Sequence, residues 1–312
     1  MDRKVTIVMY HYVRNLERSR YPGIKGLSVE RFCRQLDYIQ INYTPISVDD
    51  LLAALACEKN ELPPNPILLT FDDGYVDHFA NVFPQLDSRG IKACFYPSAR
   101  PTLEHRVLDV NKIQFLLASV SDAGILLDEV FSSLAEFRAE YQLKTREEYL
   151  RVERVKHRYD SGEVSVVKSL LQHELPGAVR EEVVRRLFAK FVTADEAAFA
   201  CELYMSVDQI ACLRRYGMHI GNHGFSHVWL NRVPADVQSF EIDRSLQFLN
   251  KVGIEGDQWT MCYPYGGYND SVLQILKARR CRLGFAVENR VADLKVDDPL
   301  TLPRIDTNDL PS

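Results

Sequence analysis

No stretch of the 312 residues approaches the roughly 20 consecutive apolar residues that a membrane-spanning helix needs. The apolar run near the start, Val5 to Met9, is too short for a signal-peptide core, and no small-residue cleavage site follows it. Neither sign of charge dominates. With 38 basic residues against 43 acidic, the net charge is -5, and no basic stripe stands out, which argues against nucleic acid as the main partner. The seven cysteines (Cys33, Cys57, Cys94, Cys201, Cys212, Cys262, Cys281) include no CxxC pair, so reduced thiols serving as small core residues are expected. The stretch 101–204 shows no clear internal repeat or low-complexity tract. These absences leave a globular protein of a reducing compartment, expected in the cytoplasm, and its 46% hydrophobic content is enough for a full core.

Strand and helix signals alternate over two stretches. Val5–Met9 and Ile67–Phe71 read as buried strands, as do Ala93–Tyr96, Met218–Asn222, Trp259–Tyr263, Leu283–Val287 and Leu302–Ile305. Helices are predicted after Ser28 and Ser47, over Asn81–Ser88, Ser206–Tyr216, Pro234–Val252 and Asn269–Lys277, with Ser28 and Ser206 as N-caps and Gly90 and Gly217 as stops. Such alternation implies parallel strands with functional residues at their C-terminal ends. Residues 101–204 break the rhythm: they are rich in Glu, Arg, Leu, Val and Ala, and read as a mainly helical insertion between 1–100 and 205–312.

Chemistry concentrates in four short segments. In Thr70-Phe71-Asp72-Asp73-Gly74-Tyr75, two carboxylates sit where a hydrophobic strand stops. Neighbours in a strand point to opposite faces, but a turn at Gly74 could aim both at one pocket; the plain alternative is an Asp-Asp-Gly turn. In His223-Gly224-Phe225-Ser226-His227, two imidazoles four residues apart can meet on a helical face or across a compact turn. Asp73, His223 and His227 together make three ligands with a fourth position open, the pattern of a catalytic Zn2+ site; Co2+, Ni2+ and Mn2+ are the alternative ions. Cys262-Tyr263-Pro264-Tyr265-Gly266 is a sharp turn whose backbone N–H groups can face a pocket. Tyr10-His11-Tyr12 ends the first strand with a histidine. His78, His105, His157 and His173 read as surface or core residues, and His219 as a strand residue.

In this order the segments resemble the polysaccharide deacetylase family (NodB-type, carbohydrate esterase family 4). Thr70–Gly74 is similar to its first motif, which implies Asp72 as base and Asp73 as metal ligand. His223–His227 is similar to the second, which supplies the other two ligands. Tyr263, Pro264 and Tyr265 are similar to the third, which lines the groove and lends the Tyr265 N–H to the oxyanion. The third motif often begins with arginine, and Cys262 stands there instead. No histidine follows His227 to supply the usual late acid. The early Tyr10-His11 resembles the permuted branch of the poly-N-acetylglucosamine deacetylases, which makes His11 the candidate acid. Leu302-Pro303-Arg304-Ile305-Asp306 resembles that branch's last strand, with Arg304 or Asp306 as candidates to orient His11. The resemblance implies a distorted (β/α) barrel and an N-acetylated sugar substrate, polymeric, lipid-linked or nucleotide-linked. Tyr12, Tyr75, Tyr265 and Trp229 are expected to line a groove. A hydrolase of a small non-sugar amide, or a binding protein with a decayed site, are the alternatives.

Overall fold

The computed structural model describes residues 3–57, 62–152, 162–256 and 259–311; His157 lies outside them. Strands over these residues are β1 (Lys4–Tyr10), β2 (Thr44–Pro45), β3 (Pro66–Asp73), β4 (Cys94–Pro97), β5 (His219–Ile220), β6 (Thr260–Cys262), β7 (Leu283–Phe285), β8 (Ala292–Asp293) and β9 (Ile305–Asp306). β1 and β3 are apolar on both faces, as strands covered on both sides must be. They pair in parallel, from Thr6 opposite Ile67 to Tyr10 opposite Phe71. β4 joins β3 with Phe95 opposite Phe71, and β5 joins β4 with Ile220 opposite Phe95. On the other side β9 pairs with β1, while β6 and β7 form a separate parallel pair. Isolated parallel bridges, Asn222 with Met261 and Phe285 with Leu302, link that pair into the circuit. The result is a distorted barrel, with two of its joints reduced to single bridges.

Period-2 alternation sorts the strand side chains into two cores. Val5, Ile7, Leu68, Cys94, Tyr96, Cys262, Leu283, Phe285 and Leu302 cluster together as the barrel filling. Val8, Tyr10, Leu69, Phe71, Phe95 and Tyr263 instead pack with Phe32, Leu36, Ile210 and Ile242 of the surrounding helices. Register lines up Tyr10, Phe71 and Phe95 as a stacked row, with ring centroids 4.8 and 5.0 Å apart. Truncating the central ring, Phe71→Ala, is expected to cost about 3–5 kcal/mol.

The helices form where the capping signals predict. Ser28 caps Val29–Asn42 by accepting from Arg31 N–H, and Ser206 closes a capping box with Gln209 before Val207–Arg215. The helix predicted over Asn81–Ser88 opens differently: a wide turn over His78–Val82 precedes the α-helix Phe83–Ser88. Among the described residues no helix is long and apolar enough to cross a membrane.

Residue contacts divide the chain into two compact units. The first comprises Met1–Asn15, Gly26–His105 and Ala200–Ser312, and holds every strand given above. The second comprises Leu16–Lys25 and Arg106–Phe199. It is helical, with its own core of Leu116, Leu126, Val130, Leu170, Val183 and Leu187 among others. Leu16–Lys25 carries no helical signal that would assign it there. It groups with the second unit because the Tyr21 ring meets Phe115 and Phe199 edge-on, at 4.9 and 5.8 Å.

Candidate active site and metal centre

Asp72 and Asp73 end β3 side by side, and their backbones part company there. Asp72 continues the strand alternation inward with Thr70. Asp73 takes a left-handed φ of 71° and Gly74 one of 76°, which turns the second carboxylate away from the strand's alternation. Only glycine fits at 74, since a Cβ there would stand 2.6 Å from Cβ of Pro97.

The His223–His227 segment is a compact turn, not a helix. Gly224 and His227 both have positive φ, at 70° and 60°. Buried polar groups hold it at nearly every step. Asn222 Oδ1 accepts from Gly224 N–H, and Glu241 Oε2 accepts from the N–H groups of Phe225 and Ser226. Glu241 Oε1 takes the Ser226 hydroxyl, and Ser98 donates to the His223 carbonyl. A carboxylate that accepts three bonds replaces the ladder partners a loop lacks.

This framework brings Asp73, His223 and His227 together, their donor atoms all within 4.8 Å of one another. Nε2 of each histidine lies 3.3 Å from Asp73 Oδ1. That is the edge of a tetrahedron around an ion with bonds of ~2.0–2.1 Å, for which geometry gives about 3.3–3.4 Å. Asp73 Oδ2 is taken by the Tyr75 hydroxyl, whereas buried Oδ1 has no hydrogen-bond partner among the described residues. His223 Nδ1 lies 2.7 Å from the Cys262 carbonyl; donation there leaves Nε2 as the lone-pair nitrogen, the usual outer support of a metal-bound imidazole. An unpartnered carboxylate oxygen facing two imidazole nitrogens fits a divalent cation. Asp72, His223 and Cys262 also lie within reach of one another, but there the carboxylate and His223 Nδ1 are already engaged.

Asp72 is held differently. Arg304 reaches it with both terminal nitrogens, Nη1 to Oδ1 at 2.9 Å and Nη2 to Oδ2 at 2.8 Å. The same guanidinium donates to Thr70 Oγ1 and the Ala286 carbonyl, and the Cys262 thiol donates to Asp72 Oδ1 at 3.3 Å. Burial alone would push the Asp72 carboxyl up; the Arg304 charge overcomes it, and the value is held at about 2. Asp73 is likewise lowered against its burial, by His227 first. Burial pushes the His227 imidazole down to about 4, so it is neutral at pH 7.

The remaining predicted residues divide. His11 is half-buried at the end of β1 and close enough for its charge to lower both carboxylates; its imidazole has no hydrogen-bond partner among the described residues. Arg304, a candidate to orient His11, engages Asp72 instead. Asp306, the other candidate, accepts from the backbone and side-chain N–H of Asn308 and caps the last turn. Pro264 opens the third-motif turn, and Tyr265 takes a φ of 58° with its ring 4.6 Å from that of His227. Tyr263 does not place its side chain in a groove. It follows Cys262 in the alternation, so its ring points to the helix-side core and its hydroxyl donates to the Leu300 carbonyl. Tyr12 and Tyr75 are also buried, stacked on each other at 3.9 Å; Trp229 stacks on Tyr265 at 4.3 Å.

Sequence reasoning missed Arg304 as the partner of Asp72, and missed Glu241. Cys262 in an arginine's place was the available clue to the first, because a buried carboxylate then needs its cation from elsewhere. For Glu241 the clue was a polar stripe, Gln238, Glu241 and Ser245, on the buried face of the helix Ala235–Lys251.

Two carboxylates of unlike surroundings and a three-residue donor set stand together at the C-terminal ends of barrel strands. The chain matches the model of the polysaccharide deacetylase family over residues 59–129 and 188–283, more than half of its length, and belongs to that family. No curated protein matches it. Among solved structures, the Streptococcus pyogenes deacetylase PplD in complex with acetate is similar over 98% of this chain and 93% of its own, with a TM-score of 0.60 and 18% identity. IcaB from Ammonifex degensii is similar over 98% and 91%, with a TM-score of 0.57 and 17% identity. A de-N-acetylase from Aggregatibacter actinomycetemcomitans is similar over 97% and 94%, with a TM-score of 0.53 and 15% identity. At these identities the likeness is one of fold.

Proposed function

We propose that this chain is a metal-dependent N-deacetylase acting on an N-acetylated amino sugar of a glycan or glycan precursor in surface-polysaccharide biosynthesis. The observation that carries the reading is the pair of unlike carboxylates: Asp73 with a bare oxygen facing two imidazoles, and Asp72 kept ionised by Arg304. Membership of the family supports a carbohydrate amide as substrate. Asp73, His223 and His227 would hold the divalent ion, Zn2+ before Co2+, Ni2+ or Mn2+. When bound, it supplies Lewis acidity, which acidifies water and polarises a carbonyl.

Asp72 takes a proton from the water that attacks the acetamide carbon. Arg304 keeps that carboxylate charged and fixes its plane. The Tyr265 N–H is assigned to the oxygen that becomes negative as the carbonyl turns tetrahedral. The C–N bond then breaks, its electron pair goes to nitrogen, and His11 supplies the proton that nitrogen takes up. Acetate and a free amino sugar leave.

The test is acetate release by the zinc-loaded protein from a panel: N-acetylglucosamine oligomers, a nucleotide-linked N-acetylated sugar and small non-sugar acetamides. Turnover is expected with acetylated sugars. His11→Ala should retain metal but lose roughly 10²–10⁴-fold in rate. Full activity in a metal-free Asp73→Ala protein would sink the reading, and turnover of the non-sugar amides alone would replace the substrate class.

A further inference from the structure

The imidazole of His11 has no hydrogen bond among the described residues, so whatever aims it acts through its backbone. The loop that follows β1 is gripped at four successive residues by the chain that follows the Asp72-Asp73 pair. The His11 carbonyl accepts from His78 Nε2 at 2.9 Å. The Tyr12 ring stacks on Tyr75 at 3.9 Å and 22°. The Val13 carbonyl accepts from Asn81 Nδ2 at 2.8 Å, and Arg14 Nε donates to Asp77 Oδ2 at 2.7 Å. Tyr75, one of the four grips, also donates its hydroxyl to Asp73. Four grips in consecutive order are more than packing requires, and they tie the proton donor's loop to the carboxylate segment.

We infer that residues 75–81 are a positioning clamp for His11, and that His78 is the positioning residue that sets where the His11 imidazole lies. The inference rests on the reading of His11 as proton donor. His78 is wholly buried among the rings of Phe71, Tyr75 and Phe95, at 5.5, 5.6 and 5.9 Å. Burial pushes its imidazole down to about 4, which leaves one N–H to donate at pH 7. A carbonyl only accepts, so that hydrogen is on Nε2, and Nδ1 is left buried without a partner among the described residues. A histidine kept there at the cost of one unmet nitrogen is kept for the bond the other makes. The wide turn delivers it: the Phe83 N–H closes on the His78 carbonyl five residues back, a form of turn frequent at functional sites.

The experiment is a mutant cycle on the zinc-loaded protein with N-acetylglucosamine oligomers as substrate. His78→Phe keeps bulk and removes the donor; His78→Gln restores an N–H. We expect His78→Phe to lower kcat roughly 10–100-fold, since misplacement by about 1 Å costs that much, with KM and bound zinc unchanged. His78→Gln should recover most of the loss, and in a His11→Ala background His78→Phe should add nothing. An equal loss in both backgrounds, or no loss in either, overturns the clamp. Asn81→Ala, at a half-buried position, is the second variant should His78→Phe not fold, and should show a smaller loss with the same dependence on His11. If the parent protein turns over no acetylated sugar, the deacetylase reading fails, and the clamp is read by NMR of 15N-histidine protein. The His11 ring signals, assigned by their absence in His11→Ala, should move in His78→Phe and return in His78→Gln; unmoved signals overturn the clamp whatever the enzyme does.

Discussion

Asp73 and Asp72 are neighbours in sequence, yet the halves of the site around them are built in opposite ways. Around Asp73 the candidate ligands come from two short segments, held mostly by residues close by: Tyr75 two positions away, Asn222 beside His223 and Glu241 one helix later, with Ser98 and the Cys262 carbonyl as the more distant supports. Around Asp72 the charged partner comes from far along the chain, Arg304 lying 232 residues downstream, and the proposed proton donor, His11, stands at the end of the first strand. The first half is assembled by local turns and the second by barrel closure. Damage to the first should therefore show as lost metal, and damage to the second as lost proton handling with metal retained.

The largest expected effect is on the first half. Asp73→Ala or His223→Ala should abolish bound metal and acetate release together, read by elemental analysis and acetate assay on one sample. Retention of either without the other would break the division. Next comes Arg304→Met. Removing one member of a buried ion pair leaves the other charged and unpaired, which costs about 3–5 kcal/mol of stability. The rate should fall by roughly 10²–10³-fold with metal retained at saturating zinc, an electrostatic loss of the usual size.

The same variant makes a pH prediction whose sign follows from Asp72. In the parent protein its carboxyl is lowered to about 2, so it adds stability above the unfolded carboxylate range, and that stability is lost as pH falls toward 2. Without Arg304 the raising effect of burial gains, so the variant's penalty should grow from pH 3 to pH 7. Urea unfolding of both proteins in chelator at the two pH values measures it. A penalty independent of pH would mean that Arg304 stabilises by packing and not by its charge on Asp72.

How much of this was legible follows the same line. Strands and caps were readable because each is a local pattern: short apolar runs for β1 and β3, Ser28 and Ser206 for their helices. The Asp-His-His convergence was readable because its segments are contiguous motifs. The partner of Asp72 was not, because nothing near Arg304 in sequence says which strand it will face once the barrel closes. Tyr263 was misplaced for a simpler reason. A motif names the residues of a turn without saying which face each presents, and alternation after Cys262 sends Tyr263 to the helix side.

A smaller effect is expected at the support of the histidine turn. Glu241→Gln keeps one acceptor but loses the charge that takes three donors from Phe225 and Ser226. Outer supports of metal ligands are typically worth 10–100-fold in affinity. Zinc affinity should weaken by about that factor, while kcat at saturating zinc changes little. A fall in kcat at full occupancy would mean that the two halves are not separable through this turn.

The smallest effect tests the join between the halves. Cys262 touches both: its carbonyl takes the His223 Nδ1 hydrogen, and its thiol donates to Asp72. The carbonyl belongs to the main chain and survives substitution, so only the thiol contact is at stake. A thiol is a weak donor, and Arg304 already supplies two charged bonds to the same carboxylate. Cys262→Ala should therefore cost less than about tenfold in kcat, Cys262→Ser less still, and neither should change bound zinc. In an Arg304→Met background the ranking should sharpen, because the thiol or hydroxyl is then the remaining described side-chain donor to Asp72. There Cys262→Ser should outperform Cys262→Ala by more than it does in the parent protein. Equal ratios in the two backgrounds would mean that position 262 acts on Asp72 through packing alone, and that the arginine absent from the third motif is replaced by Arg304 without help.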